Sequence, residues 1–424
     1  MPTDGVFRAL GTYNYRLWAG GALVSNVGTW MQRTAQDWLV LAVLTPNNAS
    51  ALGMVVALQF APQILLLPWT GLAADRLDRR RLIIATQAAL GLLALGLGLL
   101  TISGRVRLWH VDVFALLLGC VAAFDMPARQ TFVSELVGEA DLANAVALNS
   151  TSFNAARMIG PAAAGLLIAE FGSGWVFLIN AASFAAVLGS LALLRLDALH
   201  PVARAARRRG ALIEGIRYVW RRPDLKAVLF MLFLIGTFGL NFPIFISAMA
   251  VNIFHVGARE YGLLTSMMAL GSVAGALMAA WRERPDIPHL LVGAGIFGTG
   301  FALAAVMPDY WLFALALIVI GVSAQTFTTS TNGLVQLSTA PDMRGRVLSL
   351  LLAIALGGAP LGAPLVGFVA DAAGPRWALG IGAASGFGAM AVAILYLVRH
   401  RRLRLEIAGG RVRLSLDAGE AARA

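Results

Sequence analysis

The chain is short of charge, cysteine and lysine. Only 13% of its 424 residues are Asp, Glu, Lys or Arg, where soluble domains carry about 25%, so little room remains for a soluble domain. The single cysteine, Cys120, excludes an intrachain disulfide and a cysteine-based metal site. Five His, at 110, 200, 255, 289 and 400, are scattered with no His-x-x-x-His spacing, and no metal is expected. The one lysine, Lys226, lies in Pro-Asp-Leu-Lys, and no Gly-Lys-Ser/Thr loop exists to hold a nucleotide. No cofactor, no nucleotide and no catalytic residue are expected, and the chain does not read as an enzyme. The N-terminal segment is polar and amphipathic, without the short apolar core of a cleaved signal peptide.

What is abundant is apolar sequence. Hydrophobic residues make up 58% of the chain and the mean hydropathy is +0.75. A membrane helix needs about 20 mostly apolar residues. Runs of that kind occur near 18–43, 52–74, 82–103, 110–127, 143–168 and 175–194, and again near 227–250, 261–281, 288–307, 311–331, 347–370 and 377–398. They are too long and uniform for a barrel, and open strands cannot span hydrocarbon. The expected fold is an all-α integral membrane protein with twelve transmembrane helices.

The formal charge of +11 sits in short loops between apolar runs, not on one amphipathic domain, so no nucleic-acid partner is expected. With the N-terminus inside, 27 of the 33 Arg and Lys residues fall on inner segments and four on outer loops. That asymmetry places both termini in the cytoplasm. A basic break over 195–226 divides the chain. Residues 1–194 form one expected six-helix bundle and 227–398 a second, with a basic cytoplasmic tail at 399–424. Within the break, apolar residues at 212, 213, 216, 219 and 220 predict an amphipathic helix on the inner membrane surface. The two parts repeat: Asp141 and Asp342 are 201 positions apart, while Gly160 and Gly362, Gly165 and Gly367, and Trp175 and Trp377 are each 202 apart. Such pseudo-symmetric repeats put a substrate path at their interface.

The segment Gly71-Leu72-Ala73-Ala74-Asp75-Arg76-Leu77-Asp78-Arg79-Arg80-Arg81 carries six charges in its last seven residues and must be a tight turn between the second and third spans. It resembles motif A of the major facilitator superfamily at Gly71, Asp75, Arg76, Arg79 and Arg80; Asp78 stands where the family has a second Gly. Trp30-Met31-Gln32, Gln36-Asp37-Trp38, Asp125-Met126-Pro127-Ala128-Arg129-Gln130, Arg157-Met158-Ile159-Gly160-Pro161 and Pro341-Asp342-Met343-Arg344-Gly345-Arg346 resemble the enterobactin-exporter-like and macrolide-efflux-like branch. The resemblance covers roughly residues 7–400. It implies a multi-pass bacterial inner-membrane exporter of a small molecule (a siderophore, a macrolide or another drug-like compound) working by alternating access, with the proton as the usual coupling partner. An uptake carrier of the same fold and a channel-like protein are the alternatives. The fourth span lacks the mid-membrane Arg of the family's motif B.

The resemblance also implies a latch: Asp75 meets the N-terminus of the eleventh span, and Arg76 or Arg79 reaches Asp125. From the residues themselves, the first span carries a polar stripe that includes Asn26, Arg33 and Asp37 at helical spacing, and the fifth span carries Arg157. Ionised groups at that depth should face protein or a wet cavity. Asp37 is expected to pair with Arg157 or Arg33, which would leave two arginines to one acid. Gly160, Pro161 and Gly165 are expected to bend the fifth span and seal the interface. Asn241 and Gln325 are the expected cargo-path residues of the second part. Asp75→Asn should leave membrane insertion and abundance intact while slowing transport; wild-type rates at equal abundance would contradict the latch.

Overall fold

The computed structural model of the chain describes residues 5–416 apart from 46, 68, 71–72, 74–76, 201–210, 281–284, 401–402 and 409–410. Gly71, Asp75 and Arg76 of the expected latch therefore lie outside the described residues. The fold is helical almost throughout. Its helices are α1 (Tyr13–Trp38), α2 (Ala49–Leu65), α3 (Arg79–Ile102), α4 (Leu108–Phe171), α5 (Ser173–Ala192), α6 (Ala211–Trp220), α7 (Pro223–Leu234), α8 (Phe242–Ala248), α9 (Ala258–Ala280), α10 (Ile287–Val306), α11 (Tyr310–Ser338), α12 (Arg344–Ala372) and α13 (Pro375–His400). A two-stranded antiparallel ribbon, β1 (Leu403–Ala408) with β2 (Arg411–Leu416), follows. Among the described residues, nine helical segments are long and apolar enough to cross a membrane, and α2 is a shorter apolar helix of 17 residues. In lipid every backbone N–H and C=O must be paired within the segment, which is why these apolar runs close into helices.

Two helices differ from the hydropathy reading. The fourth and fifth apolar runs suggest separate helices near 110–127 and 143–168. Instead α4 is 64 residues long and is broken only at Gly138, where φ is 70° and ψ −179°. Nothing in Ala128–Val137 stops a helix, so the first limb continues to its end. Glycine adopts the positive φ of the break without the steric cost that a Cβ imposes. The second limb then folds back along α1. Phe132 of the first limb packs edge-to-face on Trp18 at 5.7 Å, and the Ala145 carbonyl of the second limb accepts from the Tyr15 hydroxyl at 2.8 Å. The run at 227–250 is likewise interrupted: α7 widens into a π turn at Ile235–Gly239 and α8 restarts at Phe242. Pro243, in the first turn of α8, has no N–H to give back to α7.

The packing follows chain order with two exceptions. Helix α1 packs on both limbs of α4 and on α5, and α3 lies against α5. Later in the chain, α9 packs on α11 and α10 on α13 and α11. Early and late helices meet chiefly through α2 with α12 and through α4 with α9. The side of the bundle holding the start of α1 is here the near face, and the side holding its end the far face. Helix α6 lies at the near face, with Ile213, Ile216 and Trp220 exposed and Val219 buried. Glu214 pairs with Arg346 at 2.8 Å. Arg222 makes two bonds to Asp224 and one to the Ser338 carbonyl; the bond from Asp224 pushes the Arg222 pKa above its usual range.

Glycines set how closely the helices approach. A Cβ on Gly271 of α9 would stand 2.1 Å from the Ile318 carbonyl oxygen of α11, and one on Gly321 would stand 2.2 Å from that of Met268. Gly271→Val should separate this pair at a cost of about 1–3 kcal/mol, read as a melting temperature several degrees lower in detergent; an unchanged melting temperature would contradict the packing described.

Candidate functional site

A cavity of about 700 Å³ lies among α1–α5. It runs from the level of Trp18 and Val133, near the near face, to Gln36 and Gln59 at depth. Its volume suits a drug-sized molecule. Its wall is mixed: Asn26, Gln32, Gln59 and Gln87 alternate with Leu90, Leu118 and Phe153, and the charged members of the lining are Arg33, Asp125 and Arg129. The expected path lies between the repeats; this cavity is lined by first-part residues alone.

Asp125 is the centre of one polar cluster. It accepts from the Thr86 hydroxyl at 2.6 Å and the Gln87 amide at 2.9 Å, and the Arg129 guanidinium lies 3.9 Å away. Arg129 in turn reaches Asn26 at 3.4 Å and stands 5.3 Å over the Trp18 ring. The latch partner expected for Asp125 is elsewhere. Arg79 bonds Glu135 at 2.5 Å. The reason is depth: Thr86 and Gln87, which do reach Asp125, lie about 10 Å further along α3 than Arg79. Asp78 caps α3 by accepting from the Arg81 N–H at 2.8 Å, and Arg80 donates to the Leu191 carbonyl at the end of α5.

The stripe on α1 does not form one network with Arg157. Asp37 is buried and accepts from the Tyr261 hydroxyl of α9 at 3.2 Å; neither Arg33 nor Arg157 forms an ion pair with it. Arg157 donates to Asn154 at 3.1 Å and to Gln325 of α11 at 3.4 Å. The Arg33 guanidinium lies 5.0 Å from the Trp30 ring and 5.9 Å from Phe60. The Nε atoms of both arginines are buried and unpartnered among the described residues. Gln325 thus touches a residue of the first part, whereas Asn241 stands apart from the cavity. Its amide donates to the Thr237 carbonyl at 2.7 Å, and its side chain packs against Gly362 of α12. Asn241 belongs to the α7–α8 break and not to the cavity wall, because α12 covers it.

At the far face the early and late helices touch backbone to backbone. A Cβ on Gly165 would stand 2.6 Å from the Ala258 carbonyl oxygen, one on Gly262 2.3 Å from that of Pro161, and one on Gly160 2.6 Å from the Trp30 Cβ. The Ser266 hydroxyl bonds the Met158 carbonyl at 2.7 Å. On the opposite flank, a Cβ on Gly53 of α2 would stand 2.4 Å from the Ala363 carbonyl oxygen, and one on Gly367 of α12 2.5 Å from that of Ala49. Asp371 completes the closure. It accepts from the Ala49 and Ser50 N–H groups at 2.7 and 2.8 Å and from the Ser50 hydroxyl at 2.5 Å. A carboxylate at the free N–H groups of a helix N-terminus is favoured by both hydrogen bonding and the helix dipole. Along α12 the closeness decays toward the near face: a Cβ on Gly357 would meet only the tip of Ile64 at 3.6 Å, and one on Gly345 would meet no described atom within 4 Å.

Sequence reasoning missed Tyr261, Asp371, Arg129 and Gln87. Arg129 and Gln87 were visible as polar interruptions of apolar helices. Tyr261 and Asp371 carry no such signal, since each sits at a span end where polar residues are ordinary. Among the described residues no three His, Cys, Asp or Glu side chains converge to hold a metal.

Backbone contact at one face, with a polar cavity reaching in from the other, gives a solute one entrance at a time. A carrier needs that, and a pore lacks it. Solved transporters share the fold. A bacterial homolog of the human lysosomal transporter Spinster, inward-facing and occupied, superposes with a TM-score of 0.72 at 15% identity, covering 90% of this chain and 96% of that one. The nucleoside transporter NupG gives 0.69 at 13% identity, covering 91% and 99%. Residues 7–407 match the profile described as transmembrane secretion effector, and the chain belongs to that family of the major facilitator superfamily. Three relatives match over most of their length. They are the multidrug efflux pump Tap of Mycolicibacterium fortuitum (28% identity; 83% of this chain, 88% of the relative), the staphyloferrin A transporter of Staphylococcus aureus (26%; 90% and 95%) and the enterobactin exporter EntS of Shigella boydii (27%; 88% and 86%). The family and these relatives are transporters, and the chain is a multi-pass membrane exporter of this superfamily.

Proposed function

We propose that the chain exports a siderophore or a drug-like small molecule across the bacterial inner membrane by alternating access, with a proton moving the other way. The observation that carries this reading is the graded contact along α12, tight against α2 at the far face and absent at Gly345 among the described residues. That is the geometry of a carrier loaded from one side. The arginine asymmetry supports assigning the near face, and both termini, to the cytoplasm.

In this reading twelve spans form two six-helix bundles. The first comprises α1, α2, α3, the two limbs of α4, and α5; the second comprises the broken helix Pro223–Ile253 and α9 to α13, with 195–226 as the cytoplasmic linker and 399–424 as a tail. The bundles rock about the cavity. Gly160, Pro161 and Gly165 with Gly262 seal one flank of the far gate, and Gly53 and Gly367 with Asp371 seal the other. When the gate opens, the near face closes, and Asp75, Arg76 and Arg79 engage the late helices there. Asp37 is the proton carrier: it is buried, and its hydrogen bond to Tyr261 joins the two bundles, so its protonation bears directly on their contact.

Everted vesicles with an imposed pH gradient test the coupling. Asp37→Asn should abolish gradient-driven accumulation of enterobactin or a macrolide while leaving cargo counterflow intact. Gradient-driven accumulation at parental level would remove Asp37 from the proton path.

Asp371 is tested at the far face. Losing its charged bonds to α2 removes about 1–3 kcal/mol, roughly a tenfold shift in a two-state gate. In a Cys120→Ala background carrying Gln36→Cys, Asp371→Ala should raise labelling by an impermeant maleimide added from the periplasm several-fold. Equal labelling with and without Asp371 would contradict the clasp.

A further inference from the structure

We infer that the cavity selects an aromatic anion and that Arg33 is the residue that binds it. The inference rests on the exporter reading and narrows its cargo. The cavity lining holds two guanidiniums and one carboxylate. The carboxylate, Asp125, is committed to Thr86 and Gln87 and neighbours Arg129. Among the described residues Arg33 has no acid within ion-pair distance. The one carboxylate on its own face of α1, Asp37 in the next turn, is engaged by the Tyr261 hydroxyl. A guanidinium inside a membrane protein is costly unless compensated. Here the compensation within the chain is a stack on Trp30 and Phe60, which leaves the five N–H donors of the fork with few acceptors, and Nε with none among the described residues.

The surroundings set the shape of the missing partner. Phe153 lines the cavity and meets Trp30 edge-to-face at 5.7 Å, so an aromatic ring has a face to lie on beside Arg33. A planar carboxylate or catecholate matches the guanidinium fork bidentately, as an ammonium cannot. Arg157, bonded to the neutral Asn154 and Gln325 and to no acid among the described residues, adds positive potential from the adjacent helix. A cationic cargo would meet like charge in this interior, and the one acid of the lining is already engaged.

The test uses purified protein in phosphatidylcholine nanodiscs, so that no anionic lipid competes, and two catechol probes of opposite charge, 2,3-dihydroxybenzoate and dopamine. Saturable quenching of tryptophan fluorescence by dihydroxybenzoate and not by dopamine is expected. Arg33→Gln should weaken the anion roughly tenfold or more, the loss of a charge-assisted bond pair, and Arg33→Lys should restore part of it. Helicity and melting temperature of each variant separate a binding defect from misfolding. Dihydroxybenzoate binding unchanged in a folded Arg33→Gln, dopamine binding as tightly as the anion, or binding of neither probe would overturn the inference. Ethidium efflux from cells expressing the parent protein, measured in parallel, separates the two levels. Efflux present alongside any of those results leaves the exporter reading standing, and efflux absent together with absent binding removes both.

Discussion

Two backbone-to-backbone contacts, α2 against α12 and the second limb of α4 against α9, hold the early helices to the late ones at the far face. They exist because glycine leaves no side chain between the axes: a Cβ at Gly53, Gly165, Gly262 or Gly367 would stand within 2.3–2.6 Å of a carbonyl oxygen. Lipid tails are as apolar as leucine, so close packing and interhelical hydrogen bonds, not hydrophobic exclusion of water, drive association here. Contacts of that type are short-range. They are either made or lost within a small displacement, which suits a gate better than a broad greasy interface would. Asp371 adds a directional element, since its three bonds to Ala49 and Ser50 are satisfied only when α2 and α12 are seated.

The polar interior is organised in separate clusters and not as one relay. Asp125 gathers Thr86, Gln87 and Arg129 deep in the first part, where each donor finds an acceptor. Asp37 and Tyr261 form a second pair across the gate, and Arg157 with Gln325 a third. Both crossing pairs lie between early and late helices. Any motion that parts those helices breaks them, so the state of the gate and the hydrogen bonding of Asp37 change together. The first cluster lies within α1–α4 and can move as a unit.

Much of this was legible in the chain, for physical reasons that differ by element. Apolar runs announce membrane helices because lipid forbids an unpaired backbone, and nine segments among the described residues meet that test. The same logic cannot find Gly138, since one glycine in a helix-compatible sequence does not look like a turn. It also hides the break at Leu240–Asn241, where apolar residues continue on both sides. The family motifs pointed to an exporter. They also pointed Arg79 toward Asp125, and the depth of Asp125 along α3 places Glu135 there instead. Asp37 stood out as an acid in an apolar run, but its partner did not, because a tyrosine at the start of α9 is an ordinary interfacial residue.

Rocking of two bundles about the cavity makes one demand above others, that the faces open in opposition. Spin labels at Phe171 and His255 report the far face, and labels at Leu77 and Ser349 the near face, each pair in a Cys120→Ala background in nanodiscs. Alternating access requires that on shifting pH or adding cargo the far pair lengthens in the same fraction of molecules in which the near pair shortens. Distances that stay fixed at both faces, or that lengthen together, would contradict it.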